Sequence, residues 1–139
     1  MINPAITVKQ LNDMTKNTMM EHLGIEFTAV GPDFVSAKMP VDSRHHQPYG
    51  LLHGGASVTL AETLGSVAAH CSVDSTKYLC VGLEINANHL KSVRSGFVFG
   101  TTKPLHVGRS TQVWEITITN EEDQKICVSR ITMSVISKK

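Results

Sequence analysis

From His53 to Cys71 the chain reads His-Gly-Gly-Ala-Ser-Val-Thr-Leu-Ala-Glu-Thr-Leu-Gly-Ser-Val-Ala-Ala-His-Cys, and Glu62 is the sole acid in that run. The other residues are mostly small or aliphatic, which suits a helix from His53 to about His70 buried on most of its circumference. A carboxylate carried into such an interior is costly unless it is paired or used. Desolvation would raise its pKa and make Glu62 a better general base, and a carboxylate can also attack a carbonyl carbon directly. The bland alternative is a structural ion pair or a crevice-facing side chain.

The start of the same helix offers the complementary groups. The amides of Gly54 and Gly55 sit where unpaired N–H groups and the helix dipole favour a developing oxyanion. His53 and the upstream Gln47 could donate hydrogen bonds to the same oxygen. Residue type alone leaves His53 open between this role and a packing histidine, and reads Gln47 more readily as a loop-stabilising amide. Ser66, at i+4 from Glu62, shares its face and could orient a water, although a serine on a tightly packed helix is more often just small. It is no nucleophile, because a G-x-S-x-G elbow is absent. The spacing has a consequence. Glu62 lies far enough beyond the Gly54 and Gly55 amides that, at ~1.5 Å per residue, about 12 Å separates them along the axis. If both ends act on one carbon, two antiparallel helices from two subunits must share the site.

The flanking segments predict what positions this helix. Thr7-Val-Lys-Gln10 has the form of a capping box, and apolar residues at Val8, Leu11, Met14 and Met19 predict a short amphipathic helix that Gly24 stops. Leu23 to Val30 and Phe34 to Met39 read as strands joined at Gly31-Pro32-Asp33. After the long helix and a polar connection from Ser72 to Thr76 come four more: Tyr78 to Leu90, Phe97 to His106, Gln112 to Asn120, and Ile126 to Ile136. Ser95-Gly96, Gly108-Arg109-Ser110 and Glu121 to Gln124 are the intervening turns. The short joins favour antiparallel pairing, so the expected class is α+β, with about six strands curved around one helix. An edge of such a sheet is expected to be covered by a partner subunit.

At 139 residues one domain is expected. A net charge of +1 without a basic block argues for neither nucleic acid nor membrane as partner. Three cysteines without C-x-x-C spacing suggest a reducing, cytoplasmic location, and no stretch of 18 apolar residues or secretory leader is present. None of the seven histidines shows metal-ligand spacing, so no metal is expected. No Walker or G-x-G-x-x-G pattern points to a nucleotide cofactor.

The run from Gln47 to Ser66 resembles the hotdog-fold acyl-CoA thioesterases. It is most similar to the bacterial 4-hydroxybenzoyl-CoA type with its catalytic Glu on the central helix, the branch that holds hydrolases of menaquinone and enterobactin synthesis. Met39-Pro-Val-Asp-Ser-Arg44, Val81 to His89, Lys103-Pro-Leu-His106 and Gln112-Val-Trp114 match in the same order. The resemblance implies a hotdog fold and hydrolysis of aryl- or acyl-CoA, with no cofactor. It implies Gln47, His53 and the Gly55 amide from one chain, and Glu62 and Ser66 from the other. It also implies at least a homodimer, commonly a tetramer of paired dimers. The CoA arm would run along Gly82, along His89, Leu90, Lys91 and Ser92, and along the turn of His106, Val107, Gly108, Arg109, Ser110 and Thr111. Leu51, Leu52, Val67 and Tyr49 would suit the walls of the acyl pocket. A hydratase or dehydratase of acyl thioesters fits the Gln47, His53, Glu62, Ser66 set less well. A non-catalytic acyl-CoA-binding module would have no use for Glu62.

Overall fold

The structure is a computed structural model that describes residues 1–139. The capping box forms as the sequence predicts: Gln10 N–H donates to Thr7 Oγ1, Thr7 N–H donates to Gln10 Oε1, and α1 (Val8–Asp13) follows. The helix expected to run on past Met14 does not. Thr15 and Thr18 donate their hydroxyls to the carbonyls of Asn12 and Thr15, Asn17 turns to φ 59°, and Thr18 caps a separate turn, α2 (Met19–His22). Short hydroxyl side chains compete with the helix for its own carbonyls, which is why a threonine-flanked segment breaks here. Gly24, at φ +68°, ends α2: its N–H bonds Glu21 O and the N–H of Ile25 bonds Met20 O. That Schellman geometry consumes Leu23 to Ile25, so the first strand starts at Glu26 and not at Leu23.

The strands are β1 (Glu26–Val30), β2 (Val35–Pro40), β3 (Tyr78–His89), β4 (Phe97–Val107), β5 (Thr111–Thr119) and β6 (Lys125–Ser137), and α3 (Gly54–Cys71) joins β2 to β3. They form one sheet in the order β1-β2-β4-β5-β6-β3, antiparallel throughout. Two connections cross the sheet: α3 carries the chain from the β2 side to the far edge at β3, and the β3–β4 join brings it back past β6 and β5 to lie beside β2. Alternation along β5 buries Gln112, Trp114, Ile116 and Ile118 on the inner face, against α3.

The helix meets this face with small residues. Ala61, Leu64, Gly65, Ala68 and Ala69 are buried. A Cβ on Gly65 would stand 2.4 Å from Ile131 Cγ2, so helix and sheet approach as closely as they do only because that position lacks a side chain. The core is one cluster of buried apolar residues that includes Phe27, Met39, Trp114 and Met133. No helix is long and apolar enough to cross a membrane.

Candidate active site

The loop before α3 closes on itself as a narrow clip. His53 N–H donates to His45 O at 2.7 Å, Gln47 N–H to Leu51 O at 2.8 Å, and His46 bridges Leu52. Gln47 and His53 are thereby set at this clip, beside the N-terminus of α3. Gln47 Oε1 accepts the N–H of Tyr49, which fixes the amide orientation and leaves its NH2 to donate elsewhere. His53 caps the helix: its Nδ1 accepts the Gly55 N–H at 2.8 Å. A neutral ring so placed carries its proton on Nε2, which is then the ring's donor. This changes the expectation for Gly55, whose amide is already satisfied by the ring meant to act beside it.

A cleft of about 330 Å³ opens at this end of α3. Gln47, Leu51, Leu52, Gly54 and Ser57 line one side, and His89, Leu90, Lys91 and Ser92 line the other. The His89 ring lies against Gly54, where an added Cβ would come within 2.7 Å of Nε2. The structure therefore brings Gln47 together with the first group of expected CoA residues. Two expected acyl-pocket walls are not in it: Val67 belongs to the core and Tyr49 is 83% exposed. Ser57, buried in the first turns of the helix, was not singled out by residue type, because a serine among small residues carries no distinguishing signal.

Glu62 stands elsewhere. It is half-buried, not carried into the interior, because Ala61, Leu64, Gly65 and Ala68 occupy the buried stripe and Glu62 turns toward the edge strand β3. A Cβ on Gly82 would be 3.0 Å from its Oε1. Ser66 shares this face as the i+4 spacing requires, and its hydroxyl meets Met133 Sδ at 3.9 Å. Met133 in turn pairs with Gly82 across the sheet. Glu62, Ser66, Gly82 and Met133 are thus one cluster; Met133, far along the sequence, is recognisable beforehand only by its inward place in the alternation of β6.

The β4–β5 turn belongs to the Glu62 end. Met133 pairs with Gln112 and Ser134 with Thr111, while Gly108 N–H closes the turn on Thr111 O and Val135 N–H bonds Ser110 O. His106, Val107, Gly108, Arg109, Ser110 and Thr111 therefore sit near the Gly82 end of the sheet. His89, which ends β3 and begins the other group, lies seven residues farther along the strand than Gly82, about 23 Å at ~3.3 Å per residue, and Leu90 to Ser92 follow it. The residues expected to hold CoA do not form one track on a single chain; they fall into two groups. The same is true of the chemical groups: Gln47 and His53 do not meet Glu62 and Ser66. Nowhere do three His, Cys, Asp or Glu side chains converge as a metal site.

Residues 49–127, more than half the chain, match the family model described as Thioesterase superfamily. The chain belongs to that superfamily. This thioesterase is 50% identical over 131 residues to the 1,4-dihydroxy-2-naphthoyl-CoA hydrolase of Escherichia coli, a match that covers 94% of the chain and 96% of that protein. It is 48% identical over 131 residues to the proofreading thioesterase EntH of Cronobacter turicensis, covering 94% and 95%. Its fold superposes on the crystal structure of a mutant thioesterase from Pseudomonas aeruginosa with a TM-score of 0.96 at 47% identity, over 99% of both chains. The curved six-stranded sheet around α3 is the hotdog fold, and the activity of the thioesterase is thioester hydrolysis.

Proposed function

We propose that this thioesterase hydrolyses aryl- or acyl-CoA at sites shared between two copies of the chain. The observation that carries this reading is the division of the site. His53 and Gln47 stand at one end of α3, Glu62 and Ser66 half-way along it, and the edge strand β3, paired on one side only, with β6, runs beside both. A two-fold axis through the middle of β3, between Gly82 and His89, superimposes the Glu62 half of one copy on the His53 half of the other. It also unites Gly82 and the β4–β5 turn of one chain with His89 to Ser92 of its partner, restoring one track for the pantetheine arm. Lys91, Arg94 and Arg109 supply cations for the nucleotide phosphates.

In the shared site His53 Nε2–H and the Gln47 amide donate to the thioester oxygen. The incoming oxygen can also replace His53 Nδ1 as the acceptor of the Gly55 N–H, an exchange of one hydrogen bond for another. The partner's Glu62 either takes a proton from water or attacks the carbonyl carbon itself, and Ser66 orients the water. Water is added across the C–S bond, the acid is released, and the thiol leaves with the remaining proton. These groups are sufficient without a metal or redox cofactor. Among aryl-CoA substrates, the name of the Escherichia coli relative suggests 1,4-dihydroxy-2-naphthoyl-CoA, and a carrier-protein thioester would present the same phosphopantetheine arm to the site. Exposed Phe97, Phe99 and Leu105 on β4 support pairing of dimers into a tetramer. Three unpaired thiols suit the cytoplasm.

Mixing two strongly impaired variants, Glu62→Ala and His53→Ala, tests the sharing. Random reassortment makes half of the dimers mixed, each with one intact site, so about one quarter of wild-type thiol release should return. A mixture as impaired as its parents would place both groups in one chain and end this reading.

A further inference from the structure

The donors of the proposed site stand on a stretch with no regular element between β2 and α3. Two adjacent histidines tie that stretch down in opposite directions. His45 is buried, 1% exposed, beneath the loop. Its Nε2 lies 2.7 Å from Leu23 O, and because a carbonyl only accepts, Nε2–H is the donor. Asp42 offers Nδ1 both its backbone N–H and its Oδ1, each at 3.2 Å, so a partner is present whichever form the ring takes. The carbonyl of this same residue accepts the N–H of His53 at 2.7 Å. His45 thus joins the end of α2 to the residue that caps α3.

His46 points the other way. Its Nε2 donates to Arg94 O at 2.7 Å, while its backbone bridges Leu52, whose N–H bonds Val93 O at 2.7 Å. Arg94 and Val93 continue the Lys91–Ser92 wall of the cleft. The spacing between Gln47 and that wall is therefore held by one ring bond and one backbone bond.

We infer that His45 and His46 are positioning residues of thioester hydrolysis. His45 fixes His53 against the substrate carbonyl, and His46 fixes the Lys91–Arg94 wall against Gln47. Neither ring reaches the reacting atoms. The inference rests on the role proposed above for His53.

The test is a double-mutant cycle read by kcat and KM separately. His45→Phe keeps the ring volume and removes both ring bonds; kcat should fall about tenfold or more with KM little changed, since small misplacement of a polarising donor is expensive. His45→Gln, which keeps a donor, should recover most of the loss. In a His53→Ala background, His45→Phe should cost nothing further in kcat. Additive losses, or a folded His45→Phe with wild-type kcat, overturn the inference. If His53→Ala itself turns over like wild type, the reading of the site fails and takes the inference with it, an outcome the single variant identifies. Should His45→Phe not fold, His46→Ala at the loop surface decides: it should raise KM several-fold and spare kcat. An unchanged KM there overturns the inference.

Discussion

The two edges of the sheet are finished differently. β1 is five residues long, and the Asn12 side chain covers it: Asn12 Nδ2 donates to Phe27 O at 3.0 Å, and Asn12 Oδ1 accepts the Phe27 N–H at 2.8 Å. One amide thus takes both backbone groups that a further strand would have taken. β3 is twelve residues long and has no such cover. Its register shifts between Gly82 and Glu84, and Val81 and Leu83 stay 38% and 64% exposed. A long apolar edge is a template for another chain, whereas a short capped one is not. The comparison explains why the proposed dimer is drawn across β3, and why Glu62, the residue with most to gain from a partner, faces that edge.

The largest effect should come from the group beside it. Glu62→Gln keeps size and hydrogen bonding but cannot act as base or nucleophile, so kcat should drop by about 10²-fold or more with KM nearly constant. Thiol release from aryl-CoA measures this; a variant within about threefold of wild type would remove Glu62 from the chemistry. The next substitution touches no chemical group. Leu83→Lys places a charge on the open edge and should halve the particle mass seen by light scattering, with activity lost alongside. Thr28→Lys, exposed on the covered edge, should change neither. Equal behaviour of the two lysine variants would erase the distinction between the edges.

How far the sequence discloses this difference can be followed residue by residue. The long helix and six strands are legible because α3 is small-sided and β5 and β6 alternate at period two. The proposed sharing of the site between two subunits is legible from the distance between the Gly54–Gly55 amides and Glu62 along a helix. The edge identities are not, because strand order depends on where α3 carries the chain, and nothing local to β3 says that it pairs with β6 alone. Nor is the break at Asn17 visible, since the apolar period continues through it and the competing threonine hydroxyls are recognised only once their partners are known. Glu62 is read as interior because composition does not say which stripe of a nearly all-apolar helix is the outer one. The capture of the Gly55 amide by His53 is a rotamer choice, and residue type does not fix rotamers.

A smaller effect belongs to the covered edge. Asn12→Ala leaves the N–H and C=O of Phe27 without their partner in a part-buried place, which should cost about 1–3 kcal/mol of stability. Urea unfolding measures the loss, and kcat of the folded variant should equal wild type. A fall in kcat would mean that β1 communicates with the site, contrary to the contrast drawn between the edges.

The smallest effect should sharpen the view of the open edge. Gly82 presents no side chain to Glu62, and a Cβ there would sit 3.0 Å from Oε1, tighter than ordinary contact. The carboxylate is the free end of a flexible side chain, so Gly82→Ala should displace it by a few tenths of an ångström without unfolding the strand. A shift of that size in a catalytic group should lower kcat about threefold. Because the loss would act only through Glu62, adding Gly82→Ala to Glu62→Gln should cost nothing more. A further loss in the double variant would show Gly82 acting on the substrate itself, through the backbone of β3 where the pantetheine arm is proposed to lie.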